Sequence, residues 1–184
     1  MRRILLLIFT IIFLSSCKKE VLPKPKAYLS LTYSPANYIK LKEKRPYRFL
    51  VSDKAVIKSE KNNWLKIKYP KLNASIDITY RPIEGNLKEL LVESERLVYK
   101  HAVKAEQIVP KDYLNKETSV YGSLYEITGN AASQIQFHVT DSTKNFIKGS
   151  LYFYTKPNYD SVLPAVAYIK KDIMKLMETL VWEN

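Results

Sequence analysis

Cys17 is the single cysteine of the chain, and its neighbours give its chemistry a direction. Arg2 and Arg3 precede an apolar run from Ile4 to Leu14, broken by Thr10, which ends in Leu14-Ser15-Ser16-Cys17. The run is shorter than the roughly 20 apolar residues of a permanent span. It has the charge, length and small-residue ending of a secretory signal. Small residues directly before a Cys form a lipobox pattern. There the thiol takes a diacylglyceryl thioether, the bond after Ser16 is cut, and the freed amine is a further acylation site. Residues 1–16 are thus expected to be a cleaved lipoprotein signal peptide, with Cys17 as the lipid-attachment residue. Two or three acyl chains hold a protein on a bilayer where one does so marginally. The mature chain is expected to be anchored to a membrane without crossing it. No Asp follows Cys17 and no acidic stretch is near, so the expected location is the periplasmic face of the outer membrane.

Other residues that could do chemistry do not assemble in the sequence. His138 lies in QFHVT with Asp141 and Ser142 close behind, but no Gly-x-Ser-x-Gly elbow surrounds any serine. His101 and His138 stand alone, without the spacing of a metal site, and a lone Cys leaves no disulfide or Cys-based zinc centre. Glu93 and Glu95 are two apart in a helical stretch, so they do not face each other. No glycine-rich phosphate loop occurs. Trp64, Trp182 and the tyrosines could stack on a sugar, but core and sheet-surface use is the commoner fate of such residues. No catalytic residue, no metal and no cofactor are expected.

Charge narrows the partners. The chain carries a formal charge of +12, with nine basic residues against Glu20 and Glu43 between Lys18 and Arg48. A basic segment near a lipid anchor suits anionic head groups or an acidic partner. Nucleic acid is not expected for an exported protein, and neither is a small-molecule substrate.

The elements that must position these residues follow from periodicity. Residues 17–26, with Pro23 and Pro25, read as an extended tether, and 27–184 as a single globular domain, since 46% hydrophobic residues can build a core. Ala27–Tyr33, Tyr47–Val51, Ala55–Lys58, Trp64–Tyr69 and Ala74–Tyr80 alternate or are short apolar runs, as strands do. Ser34 to Arg45 reads as a basic loop. Asn86 is a candidate N-cap with Glu89 in capping-box spacing, and Leu87, Leu90, Leu91, Leu97 and Val98 form a helical stripe running to about Ala105. Val120–Thr128, Gln134–Thr140 and Phe146–Thr155 read as strands joined by the turns Gly129-Asn130 and Asp141-Ser142. A last helix starts near Ser161 with Pro164 in its first turn, and Val162, Val166, Ile169, Ile173, Met177 and Leu180 form its stripe. The expected fold is α+β: an antiparallel sheet of about seven strands with two main helices packed on it. By analogy this is a PsbP-like sandwich.

Several phrases occur together: NASIDITYRPI at 73–83, VYKHAVKA at 98–105, the block from Val120 to Asn158 containing GNAAS, QFHVTDSTK and GSLYF, and LMETLVW at 176–182. They resemble the GldD family of gliding-motility lipoproteins of Bacteroidota, from about Ala27 to the C-terminus. The resemblance implies a non-enzymatic, lipid-anchored accessory protein that works with other gliding or type IX secretion lipoproteins. It carries over one functional position, Cys17. A periplasmic ligand-binding or cell-wall-active lipoprotein is the alternative, and a deep pocket with converging polar groups would favour it.

A docking surface for another lipoprotein is expected at the loop Gly129 to Ser133, with Ala132 and Ser133, together with Asp141 and Lys144 of the next turn. Loop tips on a rigid sheet are common binding sites.

Overall fold

The structure, a computed structural model, describes residues 31–101, 103–156 and 158–183. Alternating apolar residues build its largest element, a seven-stranded sheet. Its strands are β4 (Val56–Ser59), β5 (Leu65–Tyr69), β6 (Ala74–Pro82), β7 (Ala105–Asn115), β8 (Val120–Gly129), β9 (Ile135–Thr140) and β10 (Asn145–Phe153). They run β4-β5-β6-β10-β9-β8-β7, and every neighbouring pair is antiparallel. With helices α1 (Leu87–His101) and α2 (Tyr159–Glu178), this is the expected α+β fold.

One face of the sheet carries Leu65, Ile67, Ile76, Ile78, Leu124, Phe137, Val139, Ile147 and Leu151, all buried in the main core. Gly149 stands opposite Phe137, and a Cβ there would lie 2.2 Å from the Phe137 ring. The missing side chain is the space that the ring fills. Helix α2 covers this face through Val162, Val166, Ile169, Ile173 and Met177, with Leu180 just beyond, as its spacing predicts. Its start differs from expectation. Asn158 is the cap, its side chain accepting from the Ser161 N–H, so Pro164 falls in the second turn. A proline there removes one helical bond.

Two short ribbons complete this layer. The expected strand Tyr47–Val51 is divided at buried Phe49: β2 (Tyr47–Arg48) pairs with β11 (Val181–Trp182), and β3 (Leu50–Ser52) pairs with β1 (Tyr38–Lys40). β1 lies inside the expected basic loop. Of the expected strand Ala27–Tyr33, residues 27–30 lie outside the described residues, and 31–33 form no strand. Tyr33 instead packs on Tyr168 of α2 with ring centroids 5.0 Å apart, and Tyr168 Oη donates to the Ser34 carbonyl at 3.2 Å.

β7 is the strand that periodicity does not reveal. It is mostly exposed and contains Pro110. As an edge strand it tolerates a residue without an N–H. The helix before it therefore ends at His101 and not at Ala105.

α1 packs on the opposite face of the sheet. Leu90, Ser94 and Val98 are buried, while Leu87, Leu91 and Leu97 are half-buried. Val98 joins Tyr125, Ile127 and Ala131 in a small second core. Asn86 precedes the helix, but its Oδ1 accepts from the Glu84 N–H at 3.0 Å.

Candidate functional site

Cys17, residues 1–16 and the expected tether lie outside the described residues. The four expected docking residues fall on two hairpins. Ala132 is exposed at the β8–β9 tip. Ser133 beside it is buried, and its Oγ donates to the Ile135 carbonyl at 3.0 Å, so it shapes the turn and offers no surface. Asn130 Oδ1 accepts from the Tyr159 N–H at 2.9 Å, closing the hairpin against the start of α2. Asp141 belongs to the β9–β10 turn, where one oxygen accepts from the Thr143, Lys144 and Asn145 amides at 2.8–2.9 Å. Burial alone would raise its pKa, but those amides hold it below the ordinary carboxylate value. Lys144 is exposed. The two turns cap opposite ends of β9, about 20 Å apart for a six-residue strand. The fold therefore does not bring Ala132 and Lys144 onto one surface.

His138 does not meet Asp141 or Ser142 as a triad would. Its side chain is 6% exposed, stacked on Phe146 at 5.7 Å and near Tyr125 at 6.2 Å. Burial, followed by the nearby Lys148 charge, pushes the imidazole down to about 4. Such a ring is neutral at ordinary pH and fills a small aromatic layer. Ser142 sits at a φ of 65°, a left-handed turn position, and its N–H donates to Thr140 Oγ1. The His101 side chain is outside the described residues.

The polar groups that do converge lie between α1 and the sheet. A groove of about 720 Å³ opens there. Asp77, Thr79 and Arg81 of β6 and Lys148 and Ser150 of β10 form its polar floor, with Glu93 on the helix side. Trp64, Leu90, Leu97, Phe146 and Tyr152 supply apolar and aromatic walls. Three of the charges are matched in pairs: Arg81 Nη1 lies 2.6 Å from Glu93, and Lys66 Nζ 2.8 Å from Asp77. Lys148 has no hydrogen bond or ion pair through its Nζ among the described residues. It is half-buried, and burial pushes its pKa down to about 8, with Glu93 partly opposing that. Strand alternation is the signal that could have found this site. Phe146, Lys148, Ser150 and Tyr152 share a face, opposite Ile147 and Leu151, and the stripe of α1 had to cover something.

A second polar cluster also escapes the sequence reading. Asp172 is 5% exposed within the apolar face of α2 and accepts from Tyr38 Oη at 2.8 Å and Tyr69 Oη at 2.9 Å. Burial raises its pKa, and the two phenols partly counter that. An acid at a stripe position between Ile169 and Ile173 was the available hint. The cluster ties β1 and β5 to α2, a structural task.

Another groove, of about 830 Å³, is lined by Lys42, Lys44, Arg45, Arg48 and Lys144 at the end of the sheet where β6 finishes and β10 starts. Residues 32–34 lie beside Tyr69, Pro70 and Leu72, at the other end.

A family described as the gliding motility lipoprotein GldD matches residues 18–182 of the chain. The chain belongs to the GldD family. The match starts at the residue after Cys17 and takes in both helices and the whole sheet, so this GldD-family chain is a lipoprotein of the cell envelope. The solution structure of cyanobacterial PsbP (CyanoP) from Synechocystis sp. PCC 6803 is similar in fold, with a TM-score of 0.51 at 8% identity. The alignment covers 84% of the GldD-family chain and 98% of that one. At that identity the likeness is one of architecture. No curated protein matches the chain.

Proposed function

We propose that this GldD-family protein is a lipid-anchored accessory component of the gliding-motility and type IX secretion machinery. It acts through protein–protein contacts and carries out no catalysis. Cys17 bears the lipid, and the domain from residue 27 onward stands on the periplasmic face of the outer membrane at the end of a proline-containing tether. The observation that carries the reading is the family match over residues 18–182, which begins directly behind the lipobox-like Leu14 to Cys17. The fates of the chemistry-capable residues agree with a scaffold. His138 is packed as a neutral ring, and Asp141 is engaged by turn amides. Other lipoproteins of the same machinery are the proposed partners, with the exposed β8–β9 tip at Ala132 as a docking point.

Anchoring is tested by Cys17→Ala and metabolic labelling with a fatty-acid probe. The variant should lose the label and keep residues 1–16 uncleaved, and label persisting on it would remove Cys17 from its role. Crosslinking and pull-down of the lipidated protein from its own membrane tests the rest: recovery of other gliding or secretion lipoproteins is expected. The groove between α1 and the sheet supports a second reading, a ligand-binding lipoprotein, because polar groups converge in it.

A further inference from the structure

The groove beneath α1 presents a charge without a match. Arg81 is held by Glu93 and Asp77 by Lys66, at 2.6 and 2.8 Å, so the two carboxylates at the site already have cations. Lys148 rises from the middle of the floor with no partner for its Nζ among the described residues. Its strand neighbours are Thr79 on one side and His138 on the other. Thr79 directs its hydroxyl to the Lys148 carbonyl, and His138 is packed between rings, so neither supplies an anion. A cation taken partly out of water loses hydration unless an anion or hydrogen-bond acceptor meets it. The depressed lysine pKa is a sign of the same imbalance.

The walls define the rest of a complementary molecule. Trp64 and Phe146 with Leu90 and Leu97 form apolar and aromatic walls around the charged floor. A volume of about 720 Å³ lies within the range of small-molecule sites, about 300–1,000 Å³. The Trp64 ring is fixed in place, since its Nε1 donates to the Tyr80 carbonyl at 3.0 Å.

We infer that the groove between α1 and the sheet binds a small amphipathic anion, whose carboxylate or phosphate sits on Lys148 and whose apolar body lies against Trp64 and Phe146. An acid head group would restore the missing charge and form a charge-assisted hydrogen bond with the ammonium. This site is independent of the docking contacts proposed above. Its ligand would be bound by a single GldD-family chain, with no partner protein required.

The test uses the lipidated mature protein in phosphatidylcholine nanodiscs. Trp182→Phe leaves Trp64 as the sole tryptophan and therefore as a reporter inside the groove. The probes are 4-phenylbutyrate, phenyl phosphate and the neutral 4-phenylbutanamide, followed by Trp64 emission and by calorimetry. At least one anion should give a saturable change, with the amide at least ten-fold weaker. Whichever anion binds tells a carboxylate source from a phosphate source. Lys148→Met should abolish the preference for the anion without lowering the melting temperature. In the protein with native Lys148, carbon NMR of the lysine ε position should show its pKa rising as the anion saturates the site, a readout that does not depend on the variant folding. Absence of saturable binding by either anion, an amide that binds equally well, a preference that survives in Lys148→Met, or an unmoved Lys148 pKa would each overturn the assignment.

Discussion

His138 shows how a residue with catalytic potential becomes a structural one. Its imidazole titrates near 4 in the folded chain, against 6.5 when unfolded. Between those values the unfolded chain binds more protons, so stability must fall as pH drops from 6.5 to 4. The shift corresponds to about 3 kcal/mol lost across that window and none above it. His138→Gln should lack this part of the acid slope in denaturant titrations taken at several pH values. Secretion and gliding should remain largely intact in that variant. If function vanished while the protein stayed folded and abundant, the scaffold reading would fail. Lys148 and Asp172 are its counterparts. One is a half-buried charge with no hydrogen-bond or ion-pair partner among the described residues, and the other a buried acid held by two phenols.

At the scale of elements, the helix stripes differ in how deeply they are buried. Ile173 of α2 is fully buried against the main core, so Ile173→Ala should cost about 2–5 kcal/mol. The stripe of α1 reads equally apolar, yet only Leu90 and Val98 of it are buried, and Leu91 is half-exposed at the rim. Thermal melts of Leu90→Ala and Leu91→Ala should separate, with the Leu91 variant losing less than about 2 kcal/mol, since truncation costs scale with burial. Equal losses would mean that α1 sits closer to the sheet than this groove permits. The loose fit of α1 has a physical origin. The strand face beneath it carries Asp77, Thr79, Lys148 and Ser150, which a leucine stripe cannot cover tightly.

Across the whole molecule, the two hairpin turns flanking β9 face opposite ways. Ala132 lies at the sheet end where residues 32–34 pack, and Lys144 at the end lined by Lys42, Lys44 and Arg48. Part of the basic excess between Lys18 and Arg48 thus lies at the sheet end opposite residues 32–34. Ala132→Glu should weaken co-purification of partner lipoproteins while leaving the melting temperature unchanged, because the side chain is exposed. Unchanged co-purification, or a stability loss that matches the binding loss, would leave the tip as a packing feature that closes on Tyr159.

What the sequence determined by itself was local. Alternation marked β5 and β6, turn residues between short runs marked β8–β10, three- and four-residue apolar steps marked both helices, and together they were enough for an antiparallel α+β sheet. The lipobox pattern at Cys17 is equally local, since it depends on neighbours within a few residues. The tertiary structure decided everything that rests on long-range pairing. β7 is a strand because β8 offers it an edge, and Pro110 is tolerated there for the same reason. Tyr47 and Val51 part into different ribbons because β11, from the far end of the chain, takes Tyr47 while the nearby β1 takes Val51. Asp172 could be read only as a polar interruption until Tyr38 and Tyr69 came within hydrogen-bonding distance. Lys148 looked like an ordinary strand lysine until α1 closed over it and the neighbouring carboxylates were already matched, because burial and charge balance are properties of the assembled fold.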